Sequence, residues 1–129
     1  MDDHLRTRLT VYRDMPETAA GVVDFVENEL SRLTREYLVT DATAGVMTSH
    51  LIAALTRVVK REPDIDPPSP AVYQQVVTQA PGSVDLATEV SGRAEAALGV
   101  RLTPVEEQYL SFHLAALAIN ATKERKEQS

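Results

Sequence analysis

The sequence predicts an all-α protein: a compact five-helix bundle with a short N-terminal extension. Three observations lead there. Through most of the chain, apolar residues recur in alternating steps of three and four, the spacing that aligns one face of an α-helix. The breaks between these stretches carry helix-start and helix-stop residues: Thr40-Asp41, Ser69-Pro70, Pro81-Gly82 and Thr103-Pro104-Val105-Glu106. The 129 residues also suffice for one hydrophobic core and not two.

Taken in order, Leu5, Thr7, Leu9 and Val11 alternate with Arg6, Arg8 and Thr10. Residues 1–15 therefore read as an extension, either a short edge strand or irregular. From Pro16 to Leu38, the residues Ala19, Val23, Val26, Leu30, Leu33 and Tyr37 predict the first helix. Thr40 and Asp41 cap the second, whose stripe is Met47, Leu51, Ala54, Leu55 and Val58. The segment EPDIDPPSP, with four prolines, ends it in an ordered, extended loop. Ser69 followed by Pro70 opens a short third helix through AVYQQVVTQ, which stops at Pro81-Gly82. Ser83 caps the fourth, with Leu86, Val90, Ala94, Ala97 and Leu98 facing inward and Gly99 terminating it. Thr103-Pro104-Val105-Glu106 has the form of a capping box with proline at the first helical position, and it starts the fifth helix. The helical domain spans residues 16–122, and the interrupted basic cluster over 123–129 reads as a frayed, charged end.

Composition removes several function classes. The absence of cysteine excludes disulfides, thiolate metal sites and cysteine nucleophiles, and it suits a reducing compartment. The N-terminus MDDHLRTRLT lacks a secretory apolar stretch, and no run approaches the length of a membrane span, so a cytoplasmic protein is expected. A net charge of −6 sets the long-range field against phosphate backbones, so direct nucleic-acid binding is not expected.

The chemistry that remains centres on two histidines. At about 100° per residue, His50 falls about 80° from the centre of the second helix's apolar stripe, and Arg57, seven residues on, projects from nearly the same side. On the last helix Leu110, Leu114, Leu117 and Ala121 form the stripe. His113 lies about 80° off its centre, beside Tyr109 and Asn120. Phe112, Ala115, Ala116 and Ile119 cover the opposite side of that helix. A helix apolar on two sides is central or shared with a second subunit, which predicts a homodimer. The plain structural expectation is that each imidazole hydrogen-bonds a nearby carbonyl at the rim of a helical core.

Other chemistries find less support. Positions three and four residues from His50 are Met47, Val46, Ala53 and Ala54, and those around His113 are Leu110, Tyr109, Ala116 and Leu117, so no local metal-ligand pair exists and neither metal nor cofactor is expected. Ser49 and Ser111 lie mid-helix without a strained-turn context, and the five glycines form no phosphate loop. The adjacent acids Glu106 and Glu107 are explained by the capping box and the helix dipole.

The segment SHLIAALTR, residues 49–57, resembles the first histidine segment of the phosphotransferase-system regulation domain (PRD), in which a histidine is followed by an apolar stretch and an arginine seven positions later. LTPVEEQYLSFHLAALA, residues 102–118, resembles the second, where a proline-containing helix start and acidic residues lead into a second histidine. Order and spacing agree over roughly residues 17 to 120. Ser49 precedes the first histidine where that family often has Asp, and the chain resembles a stand-alone member without the usual RNA- or DNA-binding module. The resemblance implies a non-catalytic, all-helical homodimer whose histidines are phosphorylated by the phosphocarrier HPr or by sugar-permease components, coupling carbohydrate transport to gene regulation through an effector protein. It implies His50 and His113 as phosphoacceptors and Arg57 as a partner for the phosphate, with Glu107 in the acidic start of the second segment and Tyr109 and Asn120 in support. The alternative is a non-catalytic helical scaffold or dimerisation protein whose histidines never react.

Overall fold

Asp2 decides what the N-terminal segment becomes. In the computed structural model, its Oδ1 accepts the N–H of Leu5 at 3.0 Å and that of Asp41 at 3.0 Å, so one carboxylate caps two helices. The first of them, α1, spans Asp3–Asp14. The edge strand or irregular extension expected over residues 1–15 is therefore a helix, and the bundle has six helices where five were expected. The alternation from Leu5 to Val11 misleads because Leu5 and Leu9 also stand four apart. Both are buried on the helix, whereas Thr7 and Val11 face solvent.

The structure describes the backbone of residues 1–128 and side chains through Ala121; the frayed end expected over 123–129 lies outside the described side chains. The remaining helices are α2 (Val22–Leu33), α3 (Asp41–Val59), α4 (Pro70–Gln79), α5 (Pro81–Leu98) and α6 (Pro104–Gln128), with no strand among the described residues. The expected first helix is shorter than Pro16–Leu38, because Gly21, at φ 83°, takes a left-handed conformation where α2 starts. Thr40 caps α3 through a reciprocal pair with Thr43. Ser83 does not cap α5. The break falls at Ala80 (φ −140°, ψ 57°), and Pro81, which has no N–H to satisfy, takes the first helical position, so α5 starts earlier than a Ser83 cap would place it. Gly99, at φ 76°, ends α5 as expected.

Leu5 and Leu9 of α1, Val22, Val26 and Leu30 of α2, Leu51, Ile52 and Leu55 of α3, and Leu110, Leu114 and Leu117 of α6 fill one core. The inward stripe assigned to α6 is buried as the spacing requires, Ala121 included. On α3 the buried set adds Ile52, while Val58 is only half-buried. By length and composition α3 could cross a membrane, yet it carries His50 and Arg57 and packs on α1, α2 and α6 as a core helix does. The most extensive helix pairings are α5 with α6 and α3 with α6.

Two ion pairs fix the outer helices. Arg8 of α1 donates Nε and Nη2 to the carboxylate of Asp41 at 2.7 and 3.2 Å, and its Nη1 to Ser49 Oγ at 2.8 Å. The pair lies over Gly45, where a Cβ would come within 2.7 Å of Asp41 Oδ1 and 2.8 Å of Arg8 Nη2. Glu29 of α2, nearly buried, accepts Nε and Nη2 of Arg93 on α5 at 2.8 and 2.7 Å.

Candidate functional site

The close packing of α3 on α6 brings together two histidines that lie 63 positions apart in the sequence. Their ring centroids are 4.8 Å apart with the planes tilted by 40°. Tyr109 stands one turn before His113 on α6, its ring centroid 5.8 Å from that of His50. Its hydroxyl donates to the carbonyl of Asp66 at 2.7 Å, and Thr103 Oγ1 hydrogen-bonds Asp64 Oδ1 at 3.0 Å. The proline-rich loop between α3 and α4 is thus tied to the first turns of α6 at the edge of the site.

Behind the histidines lies a carboxylate. The side chain of Glu106 is 1% exposed, and its Oε2 accepts two N–H groups of Arg57, from Nη2 at 2.6 Å and Nε at 3.1 Å. Its other oxygen, Oε1, lies 3.6 Å from His50 Nε2, beyond hydrogen-bond reach, and both of these buried atoms lack a hydrogen-bond partner. Buried polar atoms are nearly always paired. His50 Nε2 and Glu106 Oε1 thus face each other with no other partner. The expectation that each imidazole donates to a nearby carbonyl does not describe His50 Nε2.

Burial holds both imidazoles below the usual histidine pKa. For His50 desolvation comes first and the positive field of Arg57 second, and for His113 desolvation comes first and the proximity of His50 second. Both effects disfavour the imidazolium, so at neutral pH the pair is uncharged. Each ring then keeps a lone pair on one nitrogen, the requirement for a nucleophile or proton acceptor.

Of the residues expected at this site, His50, His113, Arg57 and Tyr109 come together. Glu107 is half-buried and makes no ion pair among the described contacts, and Asn120 is exposed on α6, two turns beyond His113. The acid that completes the site is Glu106. The capping box was expected to turn its carboxylate back toward the start of α6. Thr103 does play its part, accepting the Glu106 N–H on Oγ1 at 3.2 Å, but the Glu106 side chain turns to Arg57 instead. Its position could have been read from spacing. Arg57 follows His50 by seven residues and Glu106 precedes His113 by seven, so two antiparallel helices that pair the histidines also pair the acid with the base.

The serines near the histidines have other partners: Ser49 receives Arg8, and Ser111, buried, donates to the carbonyl of Gln108 at 2.6 Å. Among the described residues no group of three or more His, Cys, Asp or Glu side chains could hold a metal ion. Comparison of the chain with protein families, curated proteins and solved structures finds no match.

Proposed function

We propose that the chain is a regulatory module that accepts a phosphoryl group on histidine and has no turnover of its own. The observation that carries this reading is the facing of His50 and His113 beside an Arg57–Glu106 pair whose carboxylate is buried and has one free oxygen. Neutral imidazoles supply the lone pair for phosphoryl acceptance. The phosphoryl group then adds up to about two negative charges and three acceptor oxygens. Added to the histidine pair, that charge acts on the neighbouring Arg57–Glu106 pair by repelling the carboxylate and attracting the arginine, whose guanidinium fork binds phosphate and carboxylate by the same geometry. The switch is the release of Arg57 from Glu106, which loosens α3 against α6.

The resemblance of residues 49–57 and 102–118 to the PRD supplies the donor, HPr or a sugar-permease component in the cytoplasm, and an effector protein as the recipient of the signal. A homodimer is supported by a groove of about 550 Å³ between α4 and α6, lined by Val72, Val76, Phe112 and Ile119 among others. No side chain of α4 is buried, and Ile119 is 69% exposed. A ten-residue helix whose side chains are at most half-buried is weakly held, so a covering partner suits it. Incubation with HPr, its phosphoenolpyruvate-dependent kinase and phosphoenolpyruvate tests the proposal: the chain gains an acid-labile, base-stable label on histidine. The absence of label from HPr and from permease components favours the helical scaffold.

A further inference from the structure

We propose that His113 alone accepts the phosphoryl group, while His50 is a positioning residue that stands between the acceptor and the Glu106 carboxylate. This assignment rests on the phosphoacceptor reading above and divides the two histidines that the reading treats alike.

The geometry separates them. His50 Nε2 is buried and faces Glu106 Oε1 at 3.6 Å. A phosphoryl group on that nitrogen would place three anionic oxygens where a carboxylate oxygen already stands, in a region without solvent to screen the repulsion. A group on the other nitrogen, Nδ1, would still stand on a ring that faces Glu106 and against which the rings of Tyr109 and His113 pack. His113 has no such obstruction. Both rings are half-buried, but neither nitrogen of His113 is sealed without a partner, and no carboxylate lies within ion-pair distance of it among the described residues. Along α6, Glu106 and His113 are two turns apart, about 10 Å at 1.5 Å per residue. His50, projecting from α3, contacts both and fills the space between them.

The transfer step follows from the uncharged state of the ring. The lone pair on the unprotonated nitrogen of His113 attacks phosphorus and forms a P–N bond. The bond from phosphorus to the donor's nitrogen breaks, and its electron pair leaves with that nitrogen. With phosphoramidate as donor the leaving group is ammonia. The N–H on the far side of the His113 ring then gives up its proton to solvent, and the leaving nitrogen takes up one. His50 contributes by keeping the Glu106 charge off the incoming phosphate.

Potassium phosphoramidate is the probe, because it needs no partner protein. Peptide mapping under alkaline conditions, with the exposed third histidine removed by His4→Gln in every chain tested, is expected to show one phosphoryl group per chain, on His113. His113→Ala loses the label; His113→Gln, closer in volume, serves the same purpose if the alanine variant does not fold. His50→Ala keeps the label on His113 but acquires it more slowly, and His50→Gln, which restores a polar side chain facing Glu106, recovers most of that rate. A purely structural role for His50 predicts the same rescue by His50→Leu, of similar volume and without the polar group. Label on His50, two labels per chain, or no label on the folded parent overturns the assignment. Label on His113 from phosphoramidate with none from HPr or permease components leaves the assignment standing and removes the donor reading. Label on His50 from HPr does the reverse.

Discussion

Glu106 uses one carboxylate oxygen to hold Arg57 and leaves the other buried, unpartnered and 3.6 Å from His50 Nε2. The division sets both the stability and the chemistry of the helix pair. The Arg57–Glu106 contact joins α3 to α6, and the free oxygen keeps a negative charge beside a histidine that burial holds neutral.

Removing one partner of this ion pair leaves the other's charge buried. Arg57→Ala is expected to cost about 3 kcal/mol, the range for an orphaned buried charge, since Glu106 has almost no access to water. Arg57→Leu combined with Glu106→Leu recovers most of that loss, because it buries no unpaired charge. Urea denaturation checks both. A loss under about 1 kcal/mol for the single variant places the pair in the class of surface ion pairs instead.

Stability falls as the solution is acidified through the histidine range. Both imidazoles have folded-state pKa values below the ordinary 6.5, so near and below that pH the unfolded chain binds more protons than the folded one. Stability is therefore complete above about pH 6.5 and declines as pH falls toward the depressed folded values, below which these two groups add no further slope. Arg57, Glu106, Tyr109 and His113 are the charged or titratable neighbours of His50. Denaturation midpoints between pH 7.5 and 5.5, about one unit either side of 6.5, are expected to drop in the parent and to flatten in a His50→Ala, His113→Ala double variant. Equal slopes in the two proteins contradict it.

Gly45 leaves room for the Arg8–Asp41 pair. A Cβ there forces aside the ends of two flexible side chains, so Gly45→Ala is expected to displace the Arg8–Asp41 pair and loosen α1, a loss of up to about 1 kcal/mol that offsets the helix preference of alanine. Gly82→Ala is the control: nothing lies within 4 Å of its Cβ position, and alanine favours the helix. Thermal melts are expected to show Gly82→Ala raising the midpoint and Gly45→Ala failing to raise it.

The groove between α4 and α6 is expected to close in a homodimer. Ile119→Glu places a charge where an apolar partner would sit, and it is expected to convert the dimer to a monomer of about half the mass in light scattering. A parent chain that is already monomeric at micromolar concentration contradicts the dimer.

Much of this architecture was legible in the sequence. The buried faces of α3 and α6 follow from residues such as Leu51, Leu55, Leu110 and Leu117, whose three-and-four spacing has one geometric meaning. The edge placement of His50 and His113 follows from the same arithmetic. The segment holding Leu5 and Leu9 was harder, since positions four apart also fit the two-residue period of a strand, and the Asp2 cap that decides for helix also draws on a backbone N–H from Asp41, far along the chain. Glu106 was hidden for a related reason. Its cap signature was genuine for the backbone, but a carboxylate that can return to its own helix or reach an arginine goes where burial makes the charge pair worth most. Local sequence records the first option and not the second.

Phosphoryl transfer to the folded chain tests the central claim most directly. With phosphoenolpyruvate, its HPr kinase and HPr or a permease component, intact mass under alkaline conditions is predicted to show a phosphoryl group on the parent chain and none on the His50→Ala, His113→Ala double variant. An unlabelled parent chain in the presence of every such donor, or equal label on the double variant, contradicts the account.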